Sequence, residues 1–198
     1  MDKKINGKNV LKLSEKLKDS EPSSEGHFEK NPHIWTSPEN AKIIAEKIKN
    51  FLAKIQKENK EIFIKNYENF IKKIDNLVEN FREKTNGKKQ QYFIVFHNAY
   101  DYLFKDLKID ISKKIVFKKS ILNNPNSSEL QNLTDKISKY NIKNAFIEPQ
   151  FKNSNFEKIA KKYNLEILTL DPLGSDENTN GYLKNLENNL GSLEKIFE

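Results

Sequence analysis

The chain has 198 residues, enough for one sizeable core or two small ones, and its 36% hydrophobic content leans on 13 Phe and 7 Tyr for buried area. It contains no cysteine, which excludes disulfides, thiolate metal sites and cysteine nucleophiles, so any transition-metal site must be built from imidazole and carboxylate. The formal charge of +7 is dispersed: Lys42, Glu46, Lys47, Lys54, Glu58, Lys60, Glu61, Lys65 and Glu68 alternate in sign as on a solvated helix face, and no nucleic-acid partner is expected.

The first stretch, Met1 to Trp35, is polar. It has one short apolar patch at Val10, Leu11 and Leu13, read as a short strand, and then a Ser, Glu and Gly-rich stretch from Ser20 to Lys30, read as a mobile loop. No run is apolar enough to span a bilayer, and Met1 to Val10 lacks a hydrophobic signal core, so no export signal is expected within the sequence as written. At Ser37 the texture changes. Ser37 suits an N-cap, Pro38 the first helical position, and Glu39 the positive end of the dipole.

Ala41, Ile44, Ala45, Ile48, Leu52 and Ile55 then recur at helical spacing, and after a polar join Phe63, Tyr67, Phe70, Ile74, Leu77 and Phe81 do the same. Two consecutive helices, or one long bent one, end at Asn86 and Gly87 and form a stiff strut. From Gln91 short apolar runs alternate with amphipathic stretches. Strands are expected at Tyr92–Phe96, Ile115–Phe117, Ala145–Ile147 and Leu165–Leu170, with helices at Ser128–Tyr140 and Asn155–Tyr163 and a closing helix over Thr179–Phe197. Such alternation implies an α/β fold with a parallel sheet flanked by helices, preceded by the strut and by the remnant of an N-terminal α/β lobe. Ligands of these sheets gather at the carboxyl ends of the strands, where His97 and Asp171 directly follow apolar runs.

The candidate ligands each have a plain structural alternative. His27 lies in the Ser, Glu and Gly-rich stretch, where a solvated imidazole is the default and an accessory metal contact the alternative. His33 sits in the turn Asn31-Pro32-His33-Ile34-Trp35, and His97 ends a buried strand; either ring can be a ligand or a satisfied packing histidine. Asp171, before Pro172, can cap its turn, but a carboxylate at a buried strand end is costly unless paired or metal-bound, and Glu148 raises the same question.

Four ordered blocks carry a resemblance: Asn31-Pro32-His33-Ile34-Trp35-Thr36-Ser37-Pro38, Val95-Phe96-His97-Asn98-Ala99-Tyr100, Phe146-Ile147-Glu148-Pro149-Gln150-Phe151 and Leu170-Asp171-Pro172-Leu173-Gly174. Together they resemble the signature blocks of the zinc and manganese solute-binding proteins of ABC transporters, from about Asn9 to the C-terminus. The resemblance implies a metal held between two α/β lobes joined by a rigid helix, with His33, His97 and Asp171 as ligands and Glu148 as a structural acid beside them. It further implies zinc before manganese, a membrane permease of the ABC type as partner, a monomer, and a periplasmic or cell-surface location. On this basis residues 1–57 are expected to be an N-terminally truncated lobe with its loop and helix, 58–87 the linking helix, and 88–198 the C-terminal α/β lobe. Two departures stand out: Asn31 replaces the family's usual Asp, and the long His-rich loop of zinc importers shrinks to the surroundings of His27. Two other readings are a truncated paralogue acting as an interaction protein and a zinc enzyme. The enzyme is not expected, since the sequence has no His-Glu-x-x-His helix and no separate motif-placed base.

Overall fold

A computed structural model describes residues 3–5, 8–13, 31–117, 126–151, 154–174 and 181–198. The chain divides into two compact units, Met1–Asn76 and Leu77–Glu198, with the division inside one long helix. Each unit is described by itself.

In the first unit, strands β1 (Lys3–Ile5) and β2 (Lys8–Val10) pair antiparallel in the register Lys3 to Val10. A 3-10 turn over Ile34–Thr36 leads into helix α1, Pro38–Ile55. The start of α1 follows the expected capping chemistry: the Ser37 hydroxyl accepts from the Asn40 amide at 2.9 Å, Pro38 occupies the first turn, and Glu39 lies in the positive end. A second 3-10 turn, Lys57–Asn59, separates α1 from helix α2, Lys60–Thr85, so the helical stretch is two helices rather than one bent one. At 26 residues α2 is about 39 Å long at the usual rise per residue. Within this unit α1 is tied to the first part of α2 by Lys42, which pairs with Glu39 at 3.0 Å and with Asp75, and by the Lys49 amine 4.4 Å from the Tyr67 ring.

The second unit holds the α/β core. Strands β3 (Phe93–Val95), β4 (Lys114–Val116), β5 (Asn144–Ile147) and β6 (Glu166–Thr169) form a parallel sheet in the order β4-β3-β5-β6. Ladder bonds extend each pairing by a residue, from the Phe96 amide to the Phe146 carbonyl and from the Leu170 amide to the Ile147 carbonyl. Helices α3 (Asp101–Leu107), α4 (Ser127–Tyr140), α5 (Ser154–Lys162) and α6 (Tyr182–Glu194) alternate with or follow the strands. A parallel sheet needs cover on both faces, and the alternation along β3 provides for it. Ile94 and Phe96 pack with Leu133 and Ile137 of α4 and Phe156 and Ala160 of α5. Phe93 points the other way, edge-on to Phe104 of α3 at 5.6 Å and to Phe146 at 5.9 Å. Truncating a fully buried ring such as Phe93 to Ala costs about 3–5 kcal/mol.

The four strands fall where the hydrophobic runs placed them, within one to two residues, as do α4 and α5. The closing helix begins at Tyr182; the earlier start expected at Thr179 lies outside the described residues, as does the 14–30 stretch. Helix α3 was not expected. Its seven residues bury Tyr102, Leu103, Phe104 and Leu107 on several sides, so no single apolar stripe announces it. Among the described residues no helix is long and apolar enough to cross a membrane.

Candidate metal centre

Strand order locates the crevice. From β3 the chain moves to one side to make β4, then crosses back to make β5 and β6 on the other side. The connections therefore diverge between β3 and β5, and a parallel sheet opens its ligand crevice at the carboxyl ends of such a pair. The residues that stand there are His97, after β3, and Glu148, after β5. Both are buried, at 7% and 3% exposure, and the His97 Nδ1 is hydrogen-bonded to Glu148 Oε1. An ionised Glu148 is an acceptor only, so the shared proton sits on Nδ1 and the imidazole lone pair sits on Nε2, the arrangement of a metal-ligating histidine held by a carboxylate. Burial pushes the Glu148 carboxyl above its ordinary range; the hydrogen bond and attraction of His97 oppose this, and the charge of Asp171 adds to it.

Asp171, 5% exposed, follows β6 and is held at its backbone and its side chain. Its amide donates to Asn189 Oδ1 at 2.9 Å, and its carbonyl accepts from Asn189 Nδ2 at 2.8 Å and Asn185 Nδ2 at 2.9 Å. Those two amides stand one turn apart on α6 and so share a face. The carboxylate Oδ1 accepts from Gln150 Nε2 and from the Leu173 amide, each at 2.9 Å. Gly174 then turns the chain with φ +67°, a conformation that strains any residue with a Cβ. The segment Glu148-Pro149-Gln150 thus reaches two of the expected ligands at once, Glu148 holding His97 and Gln150 holding Asp171.

Tyr100 joins the same neighbourhood. Its hydroxyl donates to the Leu170 carbonyl at 2.7 Å, and its phenol is pushed far above the ordinary range, first by burial and then by the charges of Glu148 and Asp171. Two buried acids close enough to act on one phenol concentrate negative charge at this end of the sheet, which favours a cation. The loop carrying His97 is also fixed on its other side. Lys114 of β4, with a side chain 4% exposed, contacts both Asn98 Oδ1 and Asp101 Oδ1, and Asn98 Nδ2 donates to Asp101 at 2.6 Å. The loop after β3 is therefore stapled to each of the other three strands or their ends.

His33 belongs to the first unit. It precedes the Ile34–Thr36 turn, half-buried, with its ring 5.4 Å from the Trp35 ring. Asn31 Oδ1 accepts from the His33 amide at 3.1 Å and meets the ring Nδ1 at 2.6 Å. An amide oxygen accepts only, so here too Nδ1 carries the proton and Nε2 the lone pair. His27 lies outside the described residues. Among the described residues no three His, Asp or Glu side chains gather closely enough to form a metal site by themselves. The sequence reading did not find Gln150, Asn185, Asn189, Tyr100 or Lys114. Gln150 and Tyr100 stand inside the four blocks that carry the resemblance, the four-residue spacing of Asn185 and Asn189 on an expected helix is the available signal for that pair, and Lys114 has none.

A profile of the family described as zinc-uptake complex component A, periplasmic (ZnuA) matches residues 1–196. The chain belongs to that family. ZnuA relatives include the high-affinity zinc uptake system protein ZnuA of Haemophilus influenzae, 28% identical over 144 residues, covering 73% of this chain and 42% of that protein. The zinc-binding lipoprotein AdcA of Streptococcus pneumoniae is 28% identical over 186 residues, covering 91% of this chain and 37% of that protein. The chain thus spans well under half the length of these curated relatives. Among solved structures, the laminin-binding protein Lmb of Streptococcus agalactiae, a bifunctional protein with adhesin and metal-transporting activity, superposes with a TM-score of 0.82 at 26% identity over 96% of this chain and 71% of that one. A Zn(II)-bound AdcAII mutant variant of Streptococcus pneumoniae superposes with a TM-score of 0.78 at 28% identity, covering 96% and 70%. The α/β architecture with a helical strut expected from the sequence is that of these ZnuA-type solute-binding proteins.

Proposed function

We propose that this chain captures zinc, with manganese as the weaker alternative, and hands it as cargo to an ABC-type membrane permease. His33, His97 and Asp171 are the ligands in this reading, Glu148 orients His97, and His27 is an accessory donor. Two imidazoles and a carboxylate suit zinc, and water or His27 completes four-coordination. The observation that carries the reading is the buried His97–Glu148 pair at the switch point of the sheet, in electrostatic contact with Asp171. A buried acid and imidazole at a strand end are costly as packing groups and well suited to a cation.

The domain reading that goes with this is 1–57 as the N-terminal lobe portion, 58–87 as the linking helix and 88–198 as the C-terminal lobe. The work is done as a monomer at the periplasmic face or cell surface, and it is binding and delivery rather than catalysis. Calorimetric titration of the 198-residue chain with zinc tests it. Zinc is expected to give heat and to raise the melting temperature, since a ligand bound only by the folded form stabilises it. His97→Ala and Asp171→Ala are expected to abolish that rise. Variants that melt as the parent does under saturating zinc would remove the site from these residues.

A further inference from the structure

We infer that Gln150 is a specificity-determining residue: by occupying one oxygen of Asp171, it makes that carboxylate a single-oxygen ligand and so favours zinc over manganese. The inference rests on the reading of Asp171 as a ligand given above. An ionised carboxylate offers about four lone-pair positions over its two oxygens. On Asp171, Oδ1 accepts from Gln150 Nε2 and from the Leu173 amide, both at 2.9 Å, so two donors already claim that atom's lone pairs. Asn185 and Asn189 hold the backbone of Asp171, which fixes where the residue stands, while the two bonds to Oδ1 set the orientation of its carboxylate.

A metal that took both oxygens would have to strip two hydrogen bonds from Oδ1. A metal that takes one oxygen leaves both in place. Zinc closes a tetrahedral shell with four donors and loses nothing by one-oxygen binding, whereas manganese prefers a six-coordinate, oxygen-rich shell. A two-oxygen carboxylate is the readiest way for a site with few ligands to reach that number. Gln150 therefore acts against manganese more than it acts for zinc. Its position two residues after Glu148 links the two tasks: one short segment sets the tautomer of His97 and the denticity of Asp171.

The test is the ratio of zinc to manganese affinity, measured by competition in the parent, in Gln150→Met, which keeps the length and removes the donors, and in Gln150→Ala. Gln150 is exposed, so both variants are expected to fold as the parent does. The expected result is a ratio narrowed by about 10-fold, within the range seen when partners of metal ligands are removed, with manganese affinity rising and zinc affinity changing less. X-ray absorption of the manganese-loaded proteins is expected to give more oxygen neighbours in the variants than in the parent. A loss of packing alone would lower both affinities alike, and an unchanged ratio in both variants, or equal falls, overturns the inference while leaving the zinc reading intact. A parent that takes up neither metal overturns the zinc reading and this inference with it.

Discussion

His33 and His97 are oriented by the same chemistry through opposite means. Each ring has its Nδ1 against an oxygen acceptor, but for His33 the acceptor is Asn31, two residues away in the same turn, and for His97 it is Glu148, 51 residues away just after another strand. One partner is a neutral amide that the local backbone places; the other is a buried carboxylate that exists as a neighbour only once β3 and β5 are paired. The local device needs little more than a proline-stiffened turn, while the distant one couples the imidazole to the integrity of the sheet. A carboxylate acceptor also makes the stronger, charge-assisted bond and raises the basicity of the ring it holds. In the proposed site, the ligands of the second unit are therefore expected to carry more of the metal affinity than His33 does.

The largest effect that would break this comparison is expected at Glu148. Glu148→Gln keeps an acceptor oxygen for His97 Nδ1 and removes the charge, so metal affinity is expected to fall by about 10- to 100-fold. The metal-free melting temperature is expected to change little, because the carboxylate is held above its ordinary range by burial and its replacement removes that desolvation cost. Competition titration alongside thermal melting reads both quantities. A variant that binds zinc as tightly as the parent would mean that Glu148 is a packing acid and that His97 needs no charged partner.

That asymmetry also explains what the sequence made legible. The strands of the sheet, the capped start of α1 and the placement of His97 and Asp171 at strand ends all follow from local pattern, because alternation, capping and strand termini are properties of consecutive residues. The partners were not legible for the same reason. The sequence places Glu148 only as an acid beside the site, and nothing in the run before it indicates which imidazole it meets. Asn185, Asn189 and Lys114 belong to residue types so frequent in this chain that no single instance draws notice, and their roles, like that of Gln150, depend on contacts 14 to 21 residues away in sequence. Helix α3 was hidden by a different cause: a short helix buried on several faces has no amphipathic period to detect.

A smaller effect sharpens the comparison from the other side. Asn31→Asp converts the local acceptor of His33 into a carboxylate. Charge-assisted hydrogen bonds are worth roughly 1 kcal/mol more than neutral ones, so a few-fold gain in zinc affinity is expected if His33 is a ligand. Calorimetry of the single variant measures it, and His33→Ala in the Asn31→Asp background is expected to erase the gain. An unchanged affinity would take His33 out of the coordination sphere and leave the metal to the second unit.

The smallest effect on binding is expected at Ser37, which isolates local structure from metal chemistry. Its hydroxyl caps α1 through the Asn40 amide, and the Asn40 side chain in turn donates to the Ile34 carbonyl at 3.0 Å, in the turn that follows His33. Ser37→Ala removes one N-cap bond and is expected to cost about 1 kcal/mol of stability. In a chain of this size that corresponds to a fall of roughly 2–4 °C in melting temperature. The Asn40 side-chain bond and the Asn31 bonds to His33 do not involve the lost hydroxyl, so zinc affinity is expected to stay within twofold of the parent (about 0.4 kcal/mol at most). A much larger fall in affinity than in stability would show that the position of His33 is set by the helix start rather than by its own turn. The contrast between a locally held and a distantly held imidazole would then have to be redrawn, with α1 as the long-range partner of the first.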